Sequence, residues 1–540
     1  MRKIFYIALC FTLVASAAFG QADFSKVRIN DYSGGMVTNA LSDILSLNQM
    51  TMASNAIINK RGIISKRKGQ SLFASDTNST PFTGLSRFDP DPATSYMVAA
   101  SGASIIYAIN SASSWTTVNS ASPFSITSST EFIQANDLLF VMNGRDYTAW
   151  WDGQQFIQGN GWGNASPPTA VTAAWVANYM FMAGNPGAED TIYISTNLEP
   201  TVFEADELLR INTGDGQIIK RLEPFRQNEI IVYKQRSIFL LDITGRPPSV
   251  CTTDCWTTQA INNGLGTIAP RSVVNLGNDQ WFLSSEPIRL RSLARTSLDK
   301  ILIDSVSTPI DDIFDGTGDV QVNRSQVSKA AAILFDNKYF LAIPTDDSTV
   351  NNYVEVYDFI TKGWSVITGW FPSDWIIFDN RLFYTDANIG RVIEVFTANY
   401  ADFAASQVSI TRQTNPGAPI SFQYISKNLD FDNPENFKVP DALELEFAPT
   451  GDYTATVYIN LDDSGWLEVG TVNLEGETIT LPATLPFSSN ESGIVRKTFQ
   501  LQKYGEFKKM RIRVDQNGLN QQVRLQRASL IGRVRPWRRE

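Results

Sequence analysis

An apolar strand, an Asn at its tip and a second apolar strand recur six times along this chain. The pattern reads FIQANDLLFVM around Asn136, WVANYMFMA around Asn178 and FRQNEIIVY around Asn228. It returns as VNLGNDQWFLS around Asn278, ILFDNKYFLAI around Asn337 and IIFDNRLFYTD around Asn380. Asn tolerates left-handed backbone angles and hydrogen-bonds its own turn, so an Asn between alternating apolar runs marks a tight β-hairpin. Successive tips lie 42, 50, 50, 59 and 43 residues apart. Strand-rich units repeating at about 40–50 residues predict a β-propeller. SYMVAASGASIIYAI, turning near Gly102, offers an earlier unit, so six or seven blades fit the repeat.

A chain of 540 residues leaves room for more than the propeller. Its 32 Phe, 17 Tyr and 12 Trp favour pleated, half-buried surfaces, and no long stretch after residue 20 keeps a helical apolar period. The expected class is all-β, with an N-terminal arm over 21–80, the propeller over 81–400 and a linker over 401–419. A β-sandwich then occupies 420–540, where strict alternation such as Thr454, Thr456, Tyr458 against Ala455, Val457, Ile459 marks a half-buried sheet. Within the arm, Leu41 to Ala56 is expected to form one short amphipathic helix, and IINKRGIISKRKG a hairpin turning at Gly62.

The chain has no His, which removes Ser-His-Asp and Cys-His nucleophiles and HExxH zinc sites. Cys251 and Cys255 in CTTDC read equally as free thiols or as a local disulfide, and two cysteines alone cannot hold a tetrahedral zinc. At the N-terminus, Arg2 and Lys3 precede an apolar run from Ile4 to Phe19 that closes on Ala15, Ser16, Ala17 and Ala18. Residues 1–20 therefore resemble a secretory signal peptide, a reading that implies an extracellular or periplasmic location if they are cleaved, and no later segment is expected to span a membrane. Charge is uneven. From Arg496 to Glu540 thirteen Lys/Arg stand against three Asp/Glu, a net of +10, so the remaining body carries −20 of the whole chain's −10. An acidic body argues against sequence-specific nucleic-acid binding.

Asp311, Asp312, Asp315 and Asp319 in DDIFDGTGD cluster around glycines as oxygen ligands for calcium would, although the spacing is not that of an EF-hand and a solvated acidic loop is the favoured reading. NLDDSGWLEV, from Asn460 to Val469, is similar to the SxDxGxxW turns of sialidase-like propellers but occurs once and without an arginine cluster. Phe156, Trp162 and Trp364 beside glycines read first as aromatics buried between blades and second as sugar platforms. Arg511, Arg513, Arg524 and Arg527 read as an ordinary solvated sheet face. The tail RVRPWRRE carries Arg533, Arg535, Trp537, Arg538 and Arg539, a set suited to docking on an acidic partner such as a second copy of the chain.

Several segments resemble the propeller-type hub or nozzle proteins of short-tailed double-stranded DNA bacteriophages. They are the arm, with Gly34-Gly35, Asn55 and Gly62 to Gly69; NNGLGTIAPRSVVNLGNDQWFLSSEPIRLRSL; VEVYDFITKGWSVI; and KNLDFDNPENFKVPDALELEF. The resemblance implies a non-enzymatic virion component that forms a homo-oligomeric ring, binds other tail or portal-adaptor proteins and lets DNA pass during ejection. No cofactor is expected. Two alternatives remain: a secreted or periplasmic binding propeller, and a secreted glycan-active hydrolase.

Overall fold

The computed structural model describes residues 24–535 apart from 79, 110–112, 121–123, 126, 128, 159–167, 298–299, 404–416 and 477–492. Its architecture is all-β: a seven-bladed propeller joined to a two-sheet sandwich. The innermost strands of blades 1 to 7 are Phe82–Asp91, Glu131–Ala135, Thr172–Val176, Ile219–Arg226, Val274–Asn275, Ala331–Phe335 and Pro372–Phe378. Each Asn-tipped hairpin joins the innermost strand of its blade to the next one, which places the six tips on one face of the disc. At four tips the Asn has φ between 55° and 64°: Asn136, Asn178, Asn337 and Asn380. At the turn holding Asn278 the positive φ belongs to Gly277 instead. The corresponding loop of blade 1 is Pro92–Ala93, between paired Asp91 and Thr94. Gly102, φ 58°, turns the next loop of the same blade.

Blade 7 closes the ring with a borrowed strand. Its fourth, outermost strand is Gln70–Asn78, paired through Val392↔Phe73 and Val395↔Gln70, so the N-terminal segment fastens the last blade against the first. The rest of that segment is not free either. Ser25–Ile29 pairs with Arg524–Val534 and joins Ala56–Ile58, Ile64–Lys66, Lys438–Phe447 and Val495–Gln500 in a six-stranded sheet. The Gly62 hairpin forms between Ala56–Ile58 and Ile64–Lys66, with Gly62 at φ 73°. The helix expected over Leu41 to Ala56 is absent. Turns lead instead into the strand Gln49–Ser54.

That strand welds the two halves together. Ser54 bridges Val366 on the outer strand of blade 6, while the other edge of Gln49–Ser54 pairs with Phe422–Ser426. Met510–Gln516, Thr454–Leu461 and Trp466–Asn473 follow, so blade 6 and one layer of the sandwich are a single ten-stranded sheet. Gly35 explains how close the weld is: at φ 67°, a Cβ there would lie 2.5 Å from the Trp364 backbone nitrogen. The sandwich layers face each other across Leu443, Leu445, Phe447, Val457, Ile459 and Ile512, and the same core continues to Trp281 and Leu341 of blades 5 and 6. The expected linker begins with Ala401–Asp402 paired to Ala418–Pro419, and 404–416 lie outside the described residues.

Candidate functional site: the propeller axis and the domain junction

Propeller ligands usually meet the axis, where the first residues of all innermost strands converge. Here that mouth is filled by charge. Arg271, in the turn Pro270–Ser272 ahead of the inner strand of blade 5, donates to the Thr83 carbonyl of blade 1 at 2.6 Å and to the Thr130 carbonyl beside blade 2 at 2.8 Å. It also donates to the Ser373 carbonyl of blade 7 at 3.3 Å and lies 3.7 Å from the Asp374 carboxylate. From blade 4, Arg221 pairs with Glu131 of blade 2 and with Glu223 on its own strand at 3.0 Å. Two guanidinium groups thus tie five of the blades together across the axis.

Burial shapes the protonation of this cluster. It pushes the carboxyl groups of Glu223 and Asp374 up, opposed by Arg221 and Arg271 respectively, with Glu131 adding to the rise in both. Arg221 is held above the ordinary arginine value, because Glu131 and Glu223 together outweigh the larger single influence of burial. The carboxylates are bridged by guanidinium groups rather than separated by open space, so the arrangement serves as a staple between blades. Sequence reading missed it: Glu131, Arg221, Arg271 and Asp374 stand five, seven, seven and six residues before their Asn tips, so no single register of the repeat marks them.

Of the four aspartates weighed as a calcium candidate, with a solvated acidic loop favoured, three are engaged separately. Asp311 and Asp312 open a single helical turn, Asp311–Asp315. Asp311 is buried against Arg289 at 2.6 Å and the Ser307 hydroxyl at 2.6 Å, whereas Asp312 accepts from the Thr38 hydroxyl at 2.5 Å. Asp315 caps Thr317, and Asp319 is exposed. Among the described residues no three or more His, Cys, Asp or Glu side chains converge to hold a metal.

Cys251 and Cys255 are disulfide-bonded, with Cα atoms 5.4 Å apart, in the loop before the outer strand of blade 4. The Asn460 to Val469 turn is a hairpin of the sandwich whose Trp466 is covered by Arg511 at 5.5 Å and Arg513 at 5.7 Å. Trp364 is buried in the shared core, Phe156 is half-buried in the outer strand of blade 2, and Trp162 lies outside the described residues. Of the basic strand residues, Arg511 pairs with Asp463, Arg513 with Asp515 and Arg527 with Glu446. Arg533 lies 4.2 Å over the Phe24 ring and Arg535 pairs with Glu506 at 2.6 Å, so both have partners within the chain. Trp537, Arg538 and Arg539, like residues 1–20, lie outside the described residues. No helix among the described residues is long and apolar enough to cross a membrane.

No protein-family model matches the sequence, and no curated protein matches it. Solved structures similar to it include the WD40 β-propeller domain of Doa1, 8% identical with a TM-score of 0.37, covering 60% of this chain and 96% of that one. YCF48 bound to the D1 peptide is 10% identical with a TM-score of 0.36, covering 59% and 94%. The extracellular domain of a one-component system from B. thetaiotaomicron is 11% identical with a TM-score of 0.40, covering 84% of this chain but 57% of that one. At these identities and TM-scores the likenesses carry no argument, and the propeller is read from the strand pairing itself.

Proposed function

We propose that this chain is a non-enzymatic structural component of a bacteriophage tail, of the hub or nozzle kind, working in the virion as a homo-oligomeric ring beside other tail or portal-adaptor proteins. The observation that carries the reading is how stiffly the chain is built. N-terminal strands fasten both the propeller and the sandwich, one ten-stranded sheet runs through both, and paired arginines fill the axis. Such a block suits bearing load in an assembly. The acidic body supports a lumen to which passing DNA does not adhere, and the basic C-terminal region supports contacts between neighbours. Native mass spectrometry of the full chain tests this. Rings are expected, and deletion of residues 535–540, which spares the last strand, should weaken them. One observation favours a second reading, a secreted or periplasmic binding propeller: the Cys251–Cys255 disulfide suits an oxidising compartment. A chain that stays monomeric at assembly concentrations would turn the choice to that reading.

A further inference from the structure

Where blade 6 meets the sandwich there is a cleft of about 320 Å³, within the range of small-ligand sites. Its lining includes aromatic side chains, Phe335 and Phe340 from blade 6 and Phe396 and Tyr400 from the segment leaving blade 7. The lining also carries Lys66 and Lys68 at the end of the Gly62 hairpin and Arg524 at the start of the last strand. Two further cations there are already answered. Arg67 pairs with Asp402, and Lys338 lies 3.3 Å from Asp358 and 3.8 Å from Asp336. Lys66, Lys68 and Arg524 form no ion pair with a carboxylate among the described residues.

Lys66 is the telling member. Its side chain is buried at 2% exposure, yet its ammonium meets only neutral acceptors, the Gln516 side-chain oxygen at 2.6 Å and the Gly518 carbonyl at 3.2 Å. Arg524 likewise faces the Gln522 amide oxygen, which also accepts from the Tyr400 hydroxyl at 2.7 Å. A buried ammonium without a counter-charge is costly, and here burial, then Arg67, against Asp402, pull the Lys66 pKa down to about 7. Cations without a paired carboxylate beside aromatic side chains, in a chain of net charge −10, form a site for an anion that also offers a flat apolar surface.

We propose that this cleft binds a small organic anion, a carboxylate or phosphate carried on a sugar ring, with the anionic group held by Lys66 and Arg524 and the ring laid against Tyr400 and Phe396. The site goes beyond the assembly role above and does not depend on it. Isothermal titration calorimetry of the full chain at about pH 6.5, below the Lys66 midpoint, tests it with D-glucuronate, glucose 6-phosphate, glucose and inorganic phosphate. At least one ring anion is expected to bind about tenfold or more tighter than glucose and than inorganic phosphate. Which of the two binds identifies the anionic group. Arg524→Gln should weaken that binding by about tenfold and Lys68→Gln by less. Both positions are exposed, so these variants keep the test clear of the buried Lys66→Met, which acts on the fold as well. Equal binding of glucose, inorganic phosphate binding as tightly as the ring anions, no ring anion binding below about 10 mM, or an Arg524→Gln variant of unchanged affinity would each overturn the assignment.

Discussion

Glu355 sits in the third strand of blade 6, paired with Leu341 on one side and Val366 on the other, and is fully buried. Neither of its carboxylate oxygens has a hydrogen-bond partner. Burial, with Asp312 adding to it, raises its pKa well above the ordinary value of 4.5, and Tyr353 shares the field of both carboxyl groups and of Asp346. The folded chain therefore holds a proton on Glu355 that the unfolded chain releases near 4.5. Its contribution to stability is complete below that pH and is lost as pH rises through the folded pKa. Replacing Glu355 with Gln removes the titration. Chemical denaturation from pH 4 to 9 should show the wild type losing stability relative to Glu355→Gln as pH rises, by no more than about 1.4 kcal/mol per pH unit. A constant difference between the two proteins across that range would mean that Glu355 titrates alike in both states. In the alternating segment VEVYDF, Glu355 would fall on the solvent side of a half-buried sheet. A propeller blade has neighbours on both faces, so the alternation cannot report which polar residue is buried.

At the scale of the element, the Asn hairpins were legible because their signal is local: a residue type, a turn and two apolar runs. Their energetics are not uniform, and that difference can be measured. Asp379 and Asn380 have φ of 48° and 58°, the double left-handed geometry of a type I′ turn, whereas Asn228 does not have positive φ. Asn380→Ala should cost about 1 kcal/mol, Asn380→Gly should be neutral or stabilising, and Asn228→Ala should cost only a few tenths, read from thermal or urea unfolding. Equal costs at the two Ala variants would show that the Asn side chains, rather than the backbone angles, hold these turns. Blade 1 lacks the Asn, with Pro92 and Ala93 at its tip, so the repeat alone left six or seven blades open. The false helix over Leu41 to Ala56 has an equally local cause. Leu41 and Ile44 mimic an apolar face but are each 74% exposed, and polar neighbours hold the turn: Ser42 and Asp43 accept from Asn428, and Gln49 accepts from the Ser46 amide. The axial charges and the cleft were not legible, since both depend on residues distant in sequence that only ring closure brings together.

For the whole molecule the question is whether propeller and sandwich unfold as one body, and Arg67 is the place to ask it. It follows the Gly62 hairpin, is completely buried, and pairs in two-pronged fashion with Asp402 just beyond blade 7. Its Nε donates to the Asn55 side chain at 2.8 Å and its guanidinium donates to the Thr368 carbonyl of blade 6 at 3.1 Å, while Trp370 stacks on it at 4.6 Å. One side chain thus touches the arm, blade 6 and the exit from blade 7, the three places where the halves are joined. Arg67→Ala leaves Asp402 buried without its counter-charge, a loss of about 3–5 kcal/mol. Because the lost contacts lie at the seam and not in either core, calorimetry should show the single cooperative transition of the wild type dividing into two, with the sandwich and propeller melting apart. Arg67→Lys should recover only part of the loss, since an ammonium cannot span the Asp402, Asn55 and Thr368 acceptors at once. Two transitions already present in the wild type, or one unsplit transition in Arg67→Ala, would show that the continuous sheet through Ser54 and Val366, and not the arginine, decides the coupling.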